Sequence, residues 1–235
     1  MSYKRVLLKL SGEQLAGKRE EGFDPEFAAW LAGEVKQVAQ AGIQVVIMVG
    51  GGNFIRGSQV AGNGIHRVTA DHMGMLGTMI NALAVTDIFE SNGIKTRCLS
   101  SLFAEQVAEP FVHRLANKHL EKGRVVVLAG GSGRPYVTTD TGAVMLALEM
   151  DCDVVLKATK VDGVYDKDPA QHPDAHKLDA LTYQQAVEDN AIMVMDKAAM
   201  GLAMEHNMPV VVFDATKPGN ILKAAQGEAV GTTIK

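Results

Sequence analysis

Little in this sequence points to disulfide frames, membranes or polyanionic partners. Only two cysteines, Cys98 and Cys152, occur in 235 residues, each beside or inside a strand-like run, with no CxxC spacing. That pattern predicts buried free thiols in a reducing compartment, not a disulfide frame. The seven histidines are scattered, which predicts no metal held by protein side chains, and no Ser-His-Asp or Cys-His pairing suggests itself. No apolar run approaches the ~20 residues that a membrane helix needs. The opening MSYKRVLLKLSGE lacks the apolar length and cleavage pattern of a secretory signal, so the cytoplasm is the expected setting. Basic residues are not in excess either: 23 Lys and Arg against 27 Asp and Glu give a net charge of −4. With no Lys/Arg tract, nucleic acid is not an expected partner. A small anion held by a few local cations stays open.

What the chain does have is glycine, 24 of them, within a composition that is 47% apolar. Short apolar runs alternate with stretches of helical spacing. Strands are expected over 4–10, 45–49, 95–100, 124–129, 153–158 and 209–214, with a last edge strand at 231–234. Helices are expected over 25–41, 68–91, 111–122, 141–150, 182–190, 197–207 and 220–226. Asp24 and Pro25 supply a cap and a first-turn proline for one of them. Gly74 and Gly77 inside the helix at 68–91 predict close packing on the sheet. The stretch TKVDGVYDKDP reads as a loop or hairpin with a turn at Asp162-Gly163. Strands alternating with helices predict an α/β fold: a three-layer αβα sandwich around a mostly parallel sheet. No repeat or linker divides the chain, so residues 1–235 are expected to form a single domain.

In such a sheet, ligands gather at the carboxyl ends of the strands. Four of those exits read LKLSGE at 8–13, VGGGNFIRG at 49–57, AGGSGRPYVTTD at 129–140 and LKATKVDG at 156–163. Each carries a glycine, a hydroxyl or a lysine, which suits a phosphate crevice lined with backbone N–H groups and cations. Alone, GGG is a plain turn; four such exits together are not. Glycine there would allow positive φ and close approach to an anion. Lys9 is either a surface lysine at a strand tip or, beside Ser11 and Gly12, a phosphate neutraliser. Arg56, expected just inside a helix, can reach the same place. Arg67 and Asp71 are either a surface i,i+4 pair or place an acceptor for ribose hydroxyls; His72 reads as structural. Asp140 either caps the helix that follows or organises lysines around a transferred phosphoryl group. GEQLAGKR at 12–19 imitates a P-loop, but Arg19 stands where a hydroxyl should be and Glu20 and Glu21 would repel phosphate. The GxGxxG spacing of a dinucleotide site is absent from VGGGNFIRG.

Taken in order, LLKLSGE, VGGGNFIRG, RVTADHMG, GSGRPYVTTD and LKATKVDGVYDKDP resemble the bacterial uridylate (UMP) kinases of the amino-acid kinase superfamily. The resemblance spans Lys4 to Ile234. It implies transfer of the γ-phosphoryl of ATP to UMP, with Mg²⁺ accompanying ATP, in pyrimidine nucleotide biosynthesis. It implies that Lys9 stabilises the transferred group; the chemistry of the residues adds Asp140 to orient it, with Lys157 or Lys160 as a second cation. ATP would be bound by Lys9, Leu10, Ser11, Gly12, Gly52, Arg56, Thr159, Tyr165 and Asp168. UMP would be bound by Gly51, Asp71, Ser132, Gly133, Arg134, Pro135, Tyr136, Val137, Thr138 and Thr139. Family members form homohexamers inhibited by UTP and usually activated by GTP. The segment linked to GTP matches Gly17, Lys18, Arg19, Glu20, Glu21 and Gly22, which is more charged than the family pattern. Two other readings stand beside this one: a superfamily kinase for a carboxylate or carbamate such as acetylglutamate, and a nucleotide-binding protein without turnover.

Overall fold

Along each inner strand, apolar side chains alternate between two faces, and helices cover both. Val6, Leu8 and Leu10 join one buried cluster while Leu7 joins the other; Val45, Ile47 and Val49 oppose Val46 and Met48 in the same way. A period of two with both faces apolar is the mark of a strand buried on both sides. A computed structural model describes residues 2–56, 64–167, 169, 171–189, 192 and 194–235.

The strands are β1 (Arg5–Leu10), β2 (Gln44–Val49), β3 (Thr96–Ser100), β4 (Glu109–Pro110), β5 (Val125–Ala129), β6 (Val154–Thr159), β7 (Val164–Tyr165), β8 (Lys177–Leu178), β9 (Ala180–Leu181), β10 (Val210–Asp214) and β11 (Gly231–Ile234). Nine of them form one sheet in the order β4-β3-β5-β2-β1-β6-β10-β11-β9. Every pairing in that sheet is parallel except β10 with β11. The helices are α1 (Gly12–Leu15), α2 (Pro25–Gln40), α3 (Arg67–Ser91), α4 (His113–Glu121), α5 (Thr139–Glu149), α6 (Tyr183–Glu188), α7 (Lys197–Glu205) and α8 (Asn220–Ala225). Residues of α2, α3 and α8 fill the cluster on one face; those of α4, α5, α6 and α7 fill the other. This is the expected αβα sandwich. Among the described residues, no helix is long and apolar enough to cross a membrane.

Local signals explain most boundaries. Asp24 caps α2 by accepting from the N–H groups of Glu26 and Phe27, with Pro25 in the first turn. Both cysteines are buried and free; burial pushes the Cys98 thiol up to about 11 and Cys152 up to about 12. Three expectations need correction. Strand β11 is not at the edge, because the two-residue β9 pairs outside it. The hairpin β7–β8 closes across Val164–Leu178 and Tyr165–Lys177, so Asp162-Gly163 leads into it and does not form its turn. Gly163 lies there because a side chain would meet Thr232 at 2.7 Å and Lys177 at 2.8 Å. Arg56 is not inside a helix: Gly52–Phe54 form a turn, and Ile55 and Arg56 follow it outside any helix.

Candidate active site

Strand order alone assembles the site. β5, β2, β1 and β6 are consecutive and parallel, so the four polar exits share one edge of the sheet. Lys9 on β1 lies in register with Lys157 on β6. Being two residues beyond Leu7 and Val155, both lysines face the layer that contains α5. Asp140, in the first turn of α5, meets them there. Lys9 Nζ is 2.6 Å from one carboxylate oxygen of Asp140, and Lys157 Nζ is 2.8 Å from the other. The sequence left open whether Asp140 caps its helix. It does not: Thr138 is the cap, accepting from the N–H groups of Asp140 and Thr141. The Asp140 side chain is thereby left to the lysines.

Burial would raise the Asp140 carboxyl, but the two ammonium groups, Lys9 foremost, outweigh it and hold the carboxyl below its ordinary range. Burial pulls the Lys157 ammonium down, against the opposing pull of Asp140. A buried carboxylate shared by two cations cannot serve as a base at neutral pH. It can hold two ammonium groups in place for an incoming anion. Lys157 also donates to the carbonyl of Val194. Asp196 accepts from Thr141 Oγ1 at 2.8 Å and from the Thr138 hydroxyl, fastening the start of α5; nothing in the sequence pattern singled it out. Lys160, the other lysine considered, lines a separate cavity with Phe27 and Trp30. Lys157 is the one at Asp140.

The glycine run works by close approach, and the expected positive φ is not used. None of Gly50, Gly51 and Gly52 is left-handed. A Cβ on Gly50 would come within 2.8 Å of the Gly12 nitrogen, and one on Gly51 within 2.5 Å of the Gly74 carbonyl and 2.8 Å of the Thr78 nitrogen. Real Cβ atoms do not sit so close, so these two glycines let the loops after β1 and β2 touch and let α3 dock on the loop. From the helix side only Gly77 is tight, where a Cβ would come within 3.1 Å of the Gly51 carbonyl oxygen; the expected close packing at Gly74 is not found, since a Cβ there would meet open space. At Gly52 a Cβ would meet only the flexible Arg56 side chain, at 3.7 and 3.8 Å, so packing does not demand glycine there. Arg56 is half-exposed and paired with Glu13, while Ser11 caps α1 in a capping box with Gln14.

Beside the loop lies a cavity of about 220 Å³ lined by Gly51, Gly52, Asp71, Ser132, Val137, Thr138 and Thr139, together with Arg67, Met75, Thr78 and Gly131. Arg67 Nε contacts both Asp71 oxygens, at 2.9 and 3.0 Å. Tyr136 N–H donates to Asp71 at 2.8 Å. Burial would raise the Asp71 carboxyl, but the Tyr136 N–H and Arg67 outweigh it and hold it low. The guanidinium of Arg67 stacks 5.1 Å from the centre of the Tyr136 ring, and Tyr136 itself is left-handed at φ 66°. The i,i+4 pair therefore exists, and it also clamps the loop over the cavity. Gly133, Arg134, Pro135 and Tyr136 do not line the cavity. Gly133 is left-handed and presses on Ser101, and the Arg134 N–H donates to Ser132 Oγ.

On the β6 side, the Thr159 hydroxyl has the carbonyls of Val161 and Phe213 within donating reach, at 2.6 and 3.0 Å, and Tyr165 OH donates to Asp162 at 2.8 Å. Asp168 lies outside the described residues. In the segment 17–22, Gly17 and Gly22 are left-handed, and Lys18, Arg19, Glu20 and Glu21 are exposed. Gly22 is bonded directly to Asn53 of the glycine loop, and Asn53 pairs with Asn81 of α3. These two buried amides escaped the sequence reading; a lone asparagine in the apolar run MINALAV was the available signal.

A lysine–carboxylate–lysine cluster beside a glycine loop, at the carboxyl edge of a parallel αβα sheet, has the charge and the placement to hold an anion. Residues 4–214 match the model of the Amino acid kinase family, and the chain belongs to that family. Curated relatives include the uridylate kinase of Xanthomonas oryzae pv. oryzae, 48% identical over the whole chain and 98% of the relative. That of Dichelobacter nodosus is 47% identical over 99% of the chain and 96% of the relative. Among solved structures, the UMP kinase from Bacillus anthracis superposes with a TM-score of 0.95 at 40% identity, covering 100% of this chain and 97% of the other. Uridylate kinase from Archaeoglobus fulgidus gives 0.76 at 31%, with full coverage of both. These full-length matches place the chain in the uridylate kinase branch of the family.

Proposed function

We propose that this chain, acting as one amino-acid kinase unit, transfers the γ-phosphoryl of ATP to UMP, giving UDP and ADP in pyrimidine nucleotide biosynthesis. The observation that carries the reading is the Lys9–Asp140–Lys157 cluster, placed next to a glycine loop that borders the Asp71 cavity. The acceptor oxygen of UMP is already anionic, so no strong base is needed. It attacks the γ-phosphorus in line, the bond to the β,γ-bridging oxygen breaks, and that oxygen leaves with the electron pair on ADP. Lys9 and Lys157 neutralise the charge on the moving group, and Asp140 keeps them placed; positioning and electrostatics supply the catalysis. Asp71 and the 132–139 loop take UMP. Leu10, Ser11, Gly12, Gly52, Arg56, Thr159, Tyr165 and Asp168 take ATP.

Mg²⁺ accompanies ATP in this reading. Among the described residues, no cluster of three His, Cys, Asp or Glu side chains offers a cage, and both Asp140 oxygens are held by lysines. We assign the ion to the nucleotide phosphates, as part of the substrate. The reading extends to a homohexamer, inhibited by UTP and activated by GTP through residues 17–22; light scattering, and rates with and without each nucleotide, test those parts. The reaction itself is tested by ADP release against UMP, CMP and acetylglutamate, with UDP identified by chromatography. UDP formation is expected from UMP; activity with acetylglutamate alone would overturn the assignment.

A further inference from the structure

Two buried asparagines beneath the glycine loop have no task in the reaction just described. Asn53 is 4% exposed and Asn81 is fully buried. Their amides pair reciprocally: Asn53 Nδ2 donates to Asn81 Oδ1 at 3.0 Å, and Asn81 Nδ2 donates to Asn53 Oδ1 at 2.7 Å. Each amide also donates to a backbone carbonyl, Asn81 to Gly50 at 2.7 Å and Asn53 to Gly22 at 2.6 Å. Gly22 N–H returns a bond to the Asn53 carbonyl at 3.0 Å. Asn53 and Gly22 thus grip each other twice.

Apolar side chains are the ordinary filling at such a depth, and buried polar pairs gain little stability over them. The geometry says what the amides add. In a trans peptide the C=O and the next N–H point in opposite directions. By holding the Gly50 carbonyl, Asn81 turns the Gly51 N–H away from the buried pair. Gly51 lines the Asp71 cavity, so that peptide plane bears directly on the anion site.

We propose that Asn53 and Asn81 form a positioning pair that fixes the peptide planes of the glycine loop for phosphoryl transfer, and that the same pair ties the 17–22 segment to that loop. The inference rests on the phosphoryl-transfer reading above. A displacement at Gly22 reaches the anion site through Asn53 and ends at the carbonyl held by Asn81.

The test combines kinetics with amide hydrogen exchange on the full chain. Asn81→Asp keeps the shape and the acceptor oxygen but cannot donate to Gly50; Asn81→Ser is the second variant, should the first fail to fold. Either is expected to lower kcat by about 10–100-fold with KM for ATP and UMP within about threefold, as misplaced groups do. Gly22→Ala disturbs the segment through its left-handed backbone, since open space surrounds that position. Its effect on kcat should be largely lost when combined with the Asn81 variant. In the free protein, exchange should quicken at 50–55 and 22–24 together in the Asn81 variants. Unchanged kcat, additive effects, or quickening confined to the turn of α3 around residue 81 would each overturn the proposal. A wild-type chain that forms no UDP from UMP would sink the reaction assignment alone, because exchange still decides the pair.

Discussion

The two sides of the anion site hold their charges differently. Lys9, Asp140 and Lys157 have side chains only 9%, 16% and 17% exposed, anchored on two inner strands and a helix start. On the other side Asp71 is as buried, at 15% exposed, but its partner Arg67 is 44% exposed and reaches it from the first turn of α3. Buried charges removed from one another's company are costly, whereas exposed pairs count for little. The cluster is therefore fixed in place before any ligand arrives, and the clamp over the cavity is adjustable. Chemistry should depend on the first and acceptor affinity on the second.

Lys9→Ala tests that division most severely. It should lower kcat by ~10²–10³-fold with little change in KM for UMP, as removal of one transition-state donor does. A raised KM at near-normal kcat would merge the two sides. Next comes Asp140→Asn, which leaves two buried cations without their carboxylate and should destabilise by ~3–5 kcal/mol, read by denaturant unfolding. Because the Asp140 carboxyl is held below its ordinary value, its contribution is fully present above the unfolded carboxylate range. It is lost only as pH falls through the lower, folded value. The stability gap between wild type and this variant should thus stay constant from neutral pH down to about pH 5 and close below about pH 4. A gap already closing at pH 6 would contradict the assigned direction.

On the adjustable side the effects shrink and change kind. Asp71→Asn removes a charged acceptor and should raise KM for UMP by about tenfold, the weight of one charge-assisted hydrogen bond, with kcat nearly kept. Arg67→Met loses a half-exposed ion pair and a stacking contact, each worth ~0.5–1 kcal/mol, so KM for UMP should rise by about two- to fivefold. If Arg67→Met instead cut kcat as deeply as Lys9→Ala, the clamp would belong with the chemistry.

Much of this was legible in the residues because the governing rules are local. Apolar runs between glycines marked the inner strands, and their polar exits marked the edge where charges meet. Lys9 and Asp140 stood out because one is a charge near the end of an apolar strand and the other opens a helix after a glycine-rich loop. What stayed hidden depends on partners remote in sequence. Whether Asp140 capped its helix could be settled only by Thr138 taking that task. The choice between Lys157 and Lys160 required knowing that β6 pairs with β1. That Gly50 and Gly51 admit no side chain depends on Gly12, Gly74 and Thr78, all remote in sequence. Strand β9 was invisible because two residues carry no periodicity.

The pairing of Lys9 with Lys157 has one more consequence. Adjacent strands in a sheet lie about 4.8 Å apart, a spacing dictated by backbone hydrogen bonds and indifferent to side chains. Two cations rooted at facing positions inherit that interval as a built-in ruler. Sequence change can replace either charge or alter its surroundings. It cannot widen the gap between their roots without breaking the ladder that joins the two halves of the sheet.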